Sequence, residues 1–268
     1  MREMLLNEDP SETLGAIMIR EPFAFSPEMS LNDAMKASVV RHFPVYPVRD
    51  GDGRLVGLVR GQMLFEAQAV ELSAQPGAMV GVENEERLSS PWVRSLKFRH
   101  PWLQLNLLTA FVAAAVVGVF QETIDRLVVL AVFLPVLAGQ SGNTGCQALA
   151  VALRGLTLGE LKAGRAKALV AKKALLGLLN GALVGATAGI GMFVYATMQK
   201  NPAAPMLALC VLLAMTASCV LSGVFGALVP LVLKRLGADP ATASSIFLTT
   251  ATDVASMGTF LGLASLLA

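Results

Sequence analysis

Five long stretches of this chain carry almost no charge, and that feature limits most of what it can fold into. Between His100 and Glu122 lie 21 uncharged residues, between Arg126 and Arg154 lie 27, between Lys173 and Lys200 lie 26, and between Lys200 and Lys234 lie 33. From Pro240 to Ala268 the single charge is Asp253. A bilayer core is crossed by about 20 consecutive apolar helical residues, and soluble cores do not string five such runs together. The expected fold is therefore an all-α polytopic membrane protein with five transmembrane helices. Composition agrees: 54% of residues are hydrophobic and 15% charged, against about 25% charged in an average soluble domain. The charges that exist crowd into residues 1–100, which hold 11 of the 21 Lys/Arg and 14 of the 19 Asp/Glu. A formal net charge of +2 argues for neither nucleic acid nor an acidic partner.

Basic residues predict the orientation. Arg87, Arg94, Lys97 and Arg99 precede the first span, and Arg154, Lys162, Arg165, Lys167, Lys172 and Lys173 surround the second-to-third loop. Lys234 and Arg235 sit between the fourth and fifth spans, while the opposite loops offer only Arg126 and Lys200. The N-terminus is thus expected in the cytoplasm and the C-terminus outside, in a multi-pass cell (inner or plasma) membrane protein. The acidic first 20 residues, with Pro10, do not resemble a signal peptide. Cys146, Cys210 and Cys219 all fall in spans without metal-ligand spacing and read as small buried residues.

Three segments follow: residues 1–72 as a small α/β cytoplasmic unit, 73–100 as a linker and juxtamembrane helix, and 101–268 as the membrane domain. In the first, Pro22–Ser26 reads as extended and Ser30 caps a helix from Leu31 to Val40, with Asp33 completing a partial capping box. Strands Phe43–Val48 and Leu55–Val59 are joined by Asp50-Gly51-Asp52-Gly53, a hairpin signal, and residues 62–71 read as helix. The run FPVYPVRDGDGRLVGLV after SPEMSLNDAMKASVV resembles a cystathionine-β-synthase (CBS) regulatory module. Such modules usually come in pairs and one is visible here, so the unit is either covered on its apolar face by a second protomer or a degenerate, purely structural remnant.

Asp253 is the charge that demands an explanation. It lies 13 residues beyond Pro240, near mid-bilayer, where an ionised side chain costs about 2.5–3.5 kcal/mol on insertion scales. None of the uncharged runs supplies a Lys or Arg to pair with it. Thr242, Ser245, Thr249, Asp253 and Ser256 recur at spacings of three and four, which gives one polar helical stripe. Three readings are compatible with it: a cation pathway, a proton-carrying aspartate of a coupled transporter, and a structural interhelical hydrogen bond.

The second run contains Pro135, Gly139, Gly142 and Gly145, with Asn143 and Gln147 among them. Helix-breaking residues beside polar amides point to a stretch that lines a cavity, although Gly145 fits close helix packing better. Gly177, Gly181, Gly185 and Gly189, four apart, form a packing tape, and Ser218, Ser222 and Gly226 read the same way. Enzyme readings find no support. Gly139-Gln140-Ser141-Gly142 looks like an intramembrane serine protease site, but both histidines, His42 and His100, lie outside the spans. An aspartyl protease needs paired carboxylates at one depth, and no phosphate-binding loop opens a helix.

The stretches PVLAGQSGNTGCQALAVALRGLTLGEL (135–161) and LGADPATASSIFLTTATDVASM (236–257) resemble the two signature segments of MgtE-type magnesium channels, and the likeness extends over residues 101–268. The resemblance implies a homodimer in the lipid bilayer, five spans per chain, and a pore on the dimer axis lined by the second and fifth spans. Mg²⁺ is the transported ion, and no organic cofactor is implied. Asp253 matches the pore aspartate, which holds a largely hydrated Mg²⁺. Gly139 and Gly142 match positions whose backbone faces the ion, and Ser245, Thr249, Cys146 and Asn143 join the candidate ion-binding set. Cys146 and Ser245 stand where asparagine is expected, and Thr249 where a small apolar residue is, which leaves Mg²⁺, Mn²⁺ and Co²⁺ all in play. The family's acidic N-terminal domain and second CBS unit are not found in these residues, so gating by cytosolic Mg²⁺ is expected to be lost or reduced. The competing classes are a proton-coupled Mn²⁺/Co²⁺ carrier and a non-transporting membrane assembly protein.

Overall fold

The computed structural model describes Ser11, residues 13–19, 21–39, Arg41, and residues 43–160 and 164–267. Lys162, counted above for orientation, lies outside the described residues, as do Val40, His42 and Leu161. The chain divides into two compact units, Met1–Ser73 and Ala74–Ala268.

The first unit holds α1 (Leu14–Ile17), α2 (Leu31–Val39), β1 (Val45–Arg49) and β2 (Leu55–Arg60). Ser30 caps α2 as expected: its Oγ accepts the Asp33 N–H at 3.2 Å and donates to the Asp33 carboxylate at 2.8 Å. The strands pair antiparallel, Val45 opposite Arg60, with a bulge at Val48/Arg49. Asp50 Oδ1 accepts the N–H groups of Asp52 and Arg54 at 3.1 and 2.7 Å, and Gly53 takes the left-handed φ of 81° that closes the turn. Tyr46 is fully buried among Phe25, Ala34, Met35 and Leu64 and stacks on Phe25 at 4.9 Å. Leu55, Val56 and Leu58 of β2 stay more than half exposed.

Helix α3 (Gly61–Met79) is longer than the expected 62–71. It continues through Pro76, so Ala74–Met79 is helix and belongs to the second unit. That unit contains α4 (Trp92–Val119), the short α5 (Gln121–Arg126), α6 (Val129–Thr157), α7 (Ala166–Met198), α8 (Ala204–Arg235) and α9 (Ser244–Leu267). Five of these (α4, α6, α7, α8 and α9) are long and apolar enough to cross a membrane. Helix α4 begins before its uncharged run, at Trp92. Its charged first turns are held by Arg94–Glu85 at 2.7 Å and Arg99–Glu86 at 2.6 Å.

Helix α8 sits at the centre and packs on α6, α7 and α9, whereas α4 packs mainly on α9. The α7–α8 seam comes from the glycine tape. A methyl group on Gly177 or Gly181 would strike the backbone of Val220 or Thr216 at 2.9–3.0 Å, and one on Gly185 or Gly189 would meet the Leu212 or Ala208 carbonyl oxygen at 2.9 Å. Without Cβ atoms the two backbones close to direct contact. Leu130, Phe133, Leu137, Met192, Met215, Phe260 and Leu261 fill the core at one end.

Helix α6 runs unbroken from Val129 to Thr157, through Pro135 and its glycines. In hydrocarbon, freeing several backbone groups costs more than the one hydrogen bond that proline removes, so the helix closes around it.

Candidate functional site

Along α6 the positions separate into three rows. Leu137, Ser141, Gly145, Ala148 and Leu149 are buried. Gly142 and Cys146, one residue further on, are half-buried, and Gly139, Gln140, Asn143 and Gln147 are exposed. The glycines divide in the same way. A Cβ on Gly145 would meet Leu248 and Thr252 at 3.1 Å, whereas Gly139 and Gly142 have open space around them. Gly145 is thus a packing residue, as the sequence suggested, and the other two present bare backbone on the uncovered side.

Helix α9 repeats the arrangement. Leu248, Thr252, Ser256, Phe260 and Ala264 are buried against the bundle. Ser245, Thr249 and Asp253, each one position beyond a row of that kind and four residues apart, are half-buried. The polar stripe is therefore shorter than expected at both ends. Thr242 precedes the helix and donates to Asp239, and the fully buried Ser256 donates to the Asp253 carbonyl at 3.2 Å.

The hydroxyls on this stripe already donate inwards. Thr249 Oγ1 donates to the Ile246 carbonyl at 3.1 Å and Ser245 Oγ to the Met79 carbonyl at 2.7 Å. What each still offers is an oxygen lone pair, the polarity that accepts from water bound to a cation. Asp253 makes no ion pair among the described residues. Among those residues no three His, Cys, Asp or Glu side chains converge. Cys146 packs against the buried cluster of Ala78, Leu149, Leu153, Ala241 and Leu248.

A contact absent from the sequence reading lies at the same end. The Ala243 N–H donates to the Ala78 carbonyl at 2.8 Å, and with the Ser245–Met79 bond this caps the C-terminus of α3 on the start of α9. Pro76-Gly77 inside the segment reads as a breaker and hid the helix.

Residues 134–263 match the family model of MgtE, described as a divalent cation transporter, and residues 14–69 match the CBS domain. The MgtE match covers most of the membrane part. Three curated relatives, each a magnesium transporter MgtE, align over nearly all of this chain. The protein of Enterococcus faecalis is 29% identical over 99% of this chain and 57% of its own length. Those of Thermus thermophilus and Bacillus subtilis are 27% and 24% identical over 98% of this chain and 57% of theirs. The chain thus spans little more than half the length of these relatives. MgtE is a transporter family and not an enzyme family, in line with the failed protease and nucleotide readings. Its model covers all of α9 down to Leu263 and α6 from Leu134, the two helices that carry every candidate ion-facing residue.

Proposed function

We propose that this chain conducts a divalent cation, Mg²⁺ foremost, down its electrochemical gradient through a pore on the axis of a homodimer, lined by α6 and α9. The observation that carries the reading is the half-buried Asp253 at mid-helix, flanked by Thr249 and Ser245, next to an α6 face that leaves Gln140, Asn143 and Gln147 exposed. Amides and a carboxylate at that depth do not face lipid. A second copy across a two-fold axis turns both faces inwards and sets two Asp253 carboxylates opposite each other.

Mg²⁺ sheds water reluctantly and prefers octahedral oxygen. Its bound waters donate to the two carboxylates, to the Thr249 and Ser245 oxygens, and to backbone carbonyls laid bare at Gly139 and Gly142. Asn143 and Cys146 flank that track. With the N-terminus in the cytoplasm, a divalent ion moving inwards gains about 4.6 kcal/mol per 100 mV, twice the single-charge figure. Neither ATP nor a coupling ion is needed.

The test is Mg²⁺ entry into proteoliposomes holding the purified chain and an entrapped Mg²⁺ indicator, with and without an inside-negative potential. Potential-driven entry in the native chain and its loss in Asp253→Ala, with the oligomer intact on size exclusion, is the expected result. Equal flux in the variant overturns the role of Asp253, and flux that follows a pH gradient instead of the potential overturns the channel in favour of a proton-coupled carrier. Asp253→Asn keeps some conduction but loses preference for divalent over monovalent cations in competition assays.

A further inference from the structure

The α7–α8 seam ends where Gly223 abuts the Lys173 backbone carbonyl. Towards the start of α7 and the end of α8 the two helices leave a groove of about 750 Å³. Its walls are apolar, with Val170 on α7 and Leu228 and Leu231 on α8, and its rim carries Lys167, Lys234 and Arg235. All three cations are exposed, and among the described residues no acidic side chain lines the groove and none of the three forms an ion pair. The groove also meets the N-terminus of a 33-residue helix, where Arg165 makes no side-chain capping bond. The positive end of that helix adds to the field of the three side chains.

We infer that this groove holds one anionic phospholipid, its phosphate on Lys167, Lys234 and Arg235 and an acyl chain along Val170, Leu228 and Leu231. Charge complementarity requires an anion: three uncompensated cations and a helix N-terminus converge on one rim. The apolar walls choose its source. Both belong to helices long and apolar enough to span the bilayer, so the groove opens to hydrocarbon below and headgroups above. A free phosphate uses the rim and leaves the walls bare, whereas a lipid satisfies both. The inference rests on membrane insertion and is independent of the ion conducted; with the orientation proposed above, the site faces the cytoplasmic leaflet.

The experiment uses the purified full chain in neutral detergent, with native mass spectrometry and thermal unfolding as readouts. It is titrated with phosphatidylglycerol, with phosphatidylcholine of the same acyl chains, and with inorganic phosphate. Phosphatidylglycerol is expected to remain bound and raise the unfolding temperature, while the other two do neither. K167Q/K234Q/R235Q is expected to weaken phosphatidylglycerol binding by roughly a hundredfold, at about 1 kcal/mol for each basic residue at the surface. Val170→Trp, which fills the groove and keeps the charges, is expected to displace the lipid as well. Equal binding of the two lipids, or an unchanged titration in the charge variant, overturns the proposal; so does phosphate that competes the lipid away. Should the triple variant fail to fold, the comparison of lipids on the native chain and single Lys167→Gln decides the matter.

Discussion

At the residue scale, glycines of identical chemistry do opposite work, and the surroundings tell them apart. A side chain on Gly226 would run into the Gly145 carbonyl and come within 2.7 Å of the Ala148 methyl. Gly226→Val is therefore expected to destabilise the bundle by at least ~1–3 kcal/mol, the usual cost of overpacking a tight core, seen as a lower unfolding temperature in detergent. Gly139 has open space on its face. Gly139→Ala should leave that temperature unchanged, or slightly raised by the better helix propensity, while Mg²⁺ flux falls because a methyl narrows the proposed track. A loss of stability equal to that of Gly226→Val would place Gly139 in packing and remove it from the pathway.

At the scale of elements, the helices were legible because charge is excluded from hydrocarbon, so each uncharged run marks its span. The ends were less legible, since a helix continues past the bilayer wherever its charged turns find partners. α4 reaches back to Trp92 because Glu85 and Glu86 take up Arg94 and Arg99. The Arg99 guanidinium holds the Glu86 carboxyl below its ordinary value. Its contribution is present above the unfolded carboxylate pKa of about 4.3 and is lost as pH falls through the lowered folded value. Amide protection in residues 85–95, taken relative to the intrinsic exchange rate at each pH, should therefore fall in acid, and Glu86→Gln should show the lower protection already at neutral pH. Of the candidate site, Asp253 and the α6 glycines were visible from charge and breaker residues. The α3–α9 junction was not, because a carbonyl capped by a hydroxyl 166 residues away in sequence leaves no local pattern. Ser245→Ala removes that bond, worth about 0.5–1.5 kcal/mol net, and should speed exchange at Val80 and Gly81.

At the scale of the whole molecule, the α6 face with Gly139, Asn143 and Gln147 is uncovered in one chain, and in the proposed dimer it meets its own copy. With Cys146, Cys210 and Cys219 replaced by serine, Asn143→Cys should cross-link two copies in membranes, whereas Leu183→Cys on the 71%-exposed outer side of α7 should not. Cross-linking at Leu183 alone would put the wrong faces together and overturn the two-fold axis drawn through α6 and α9. The glycine seam between α7 and α8 also restricts how the bundle moves. Its contacts recur every four residues along α7, where the carbonyls of Leu212 and Ala208 sit against Gly185 and Gly189, so a residue with a side chain brought opposite them collides. Sliding one helix along the other is blocked until a whole notch of about 6 Å has been crossed, four residues at 1.5 Å each. The α7–α8 pair therefore works as a toothed plank that tilts or turns as one body, so a change of width in the proposed pore is expected to come from α6 and α9 moving against it.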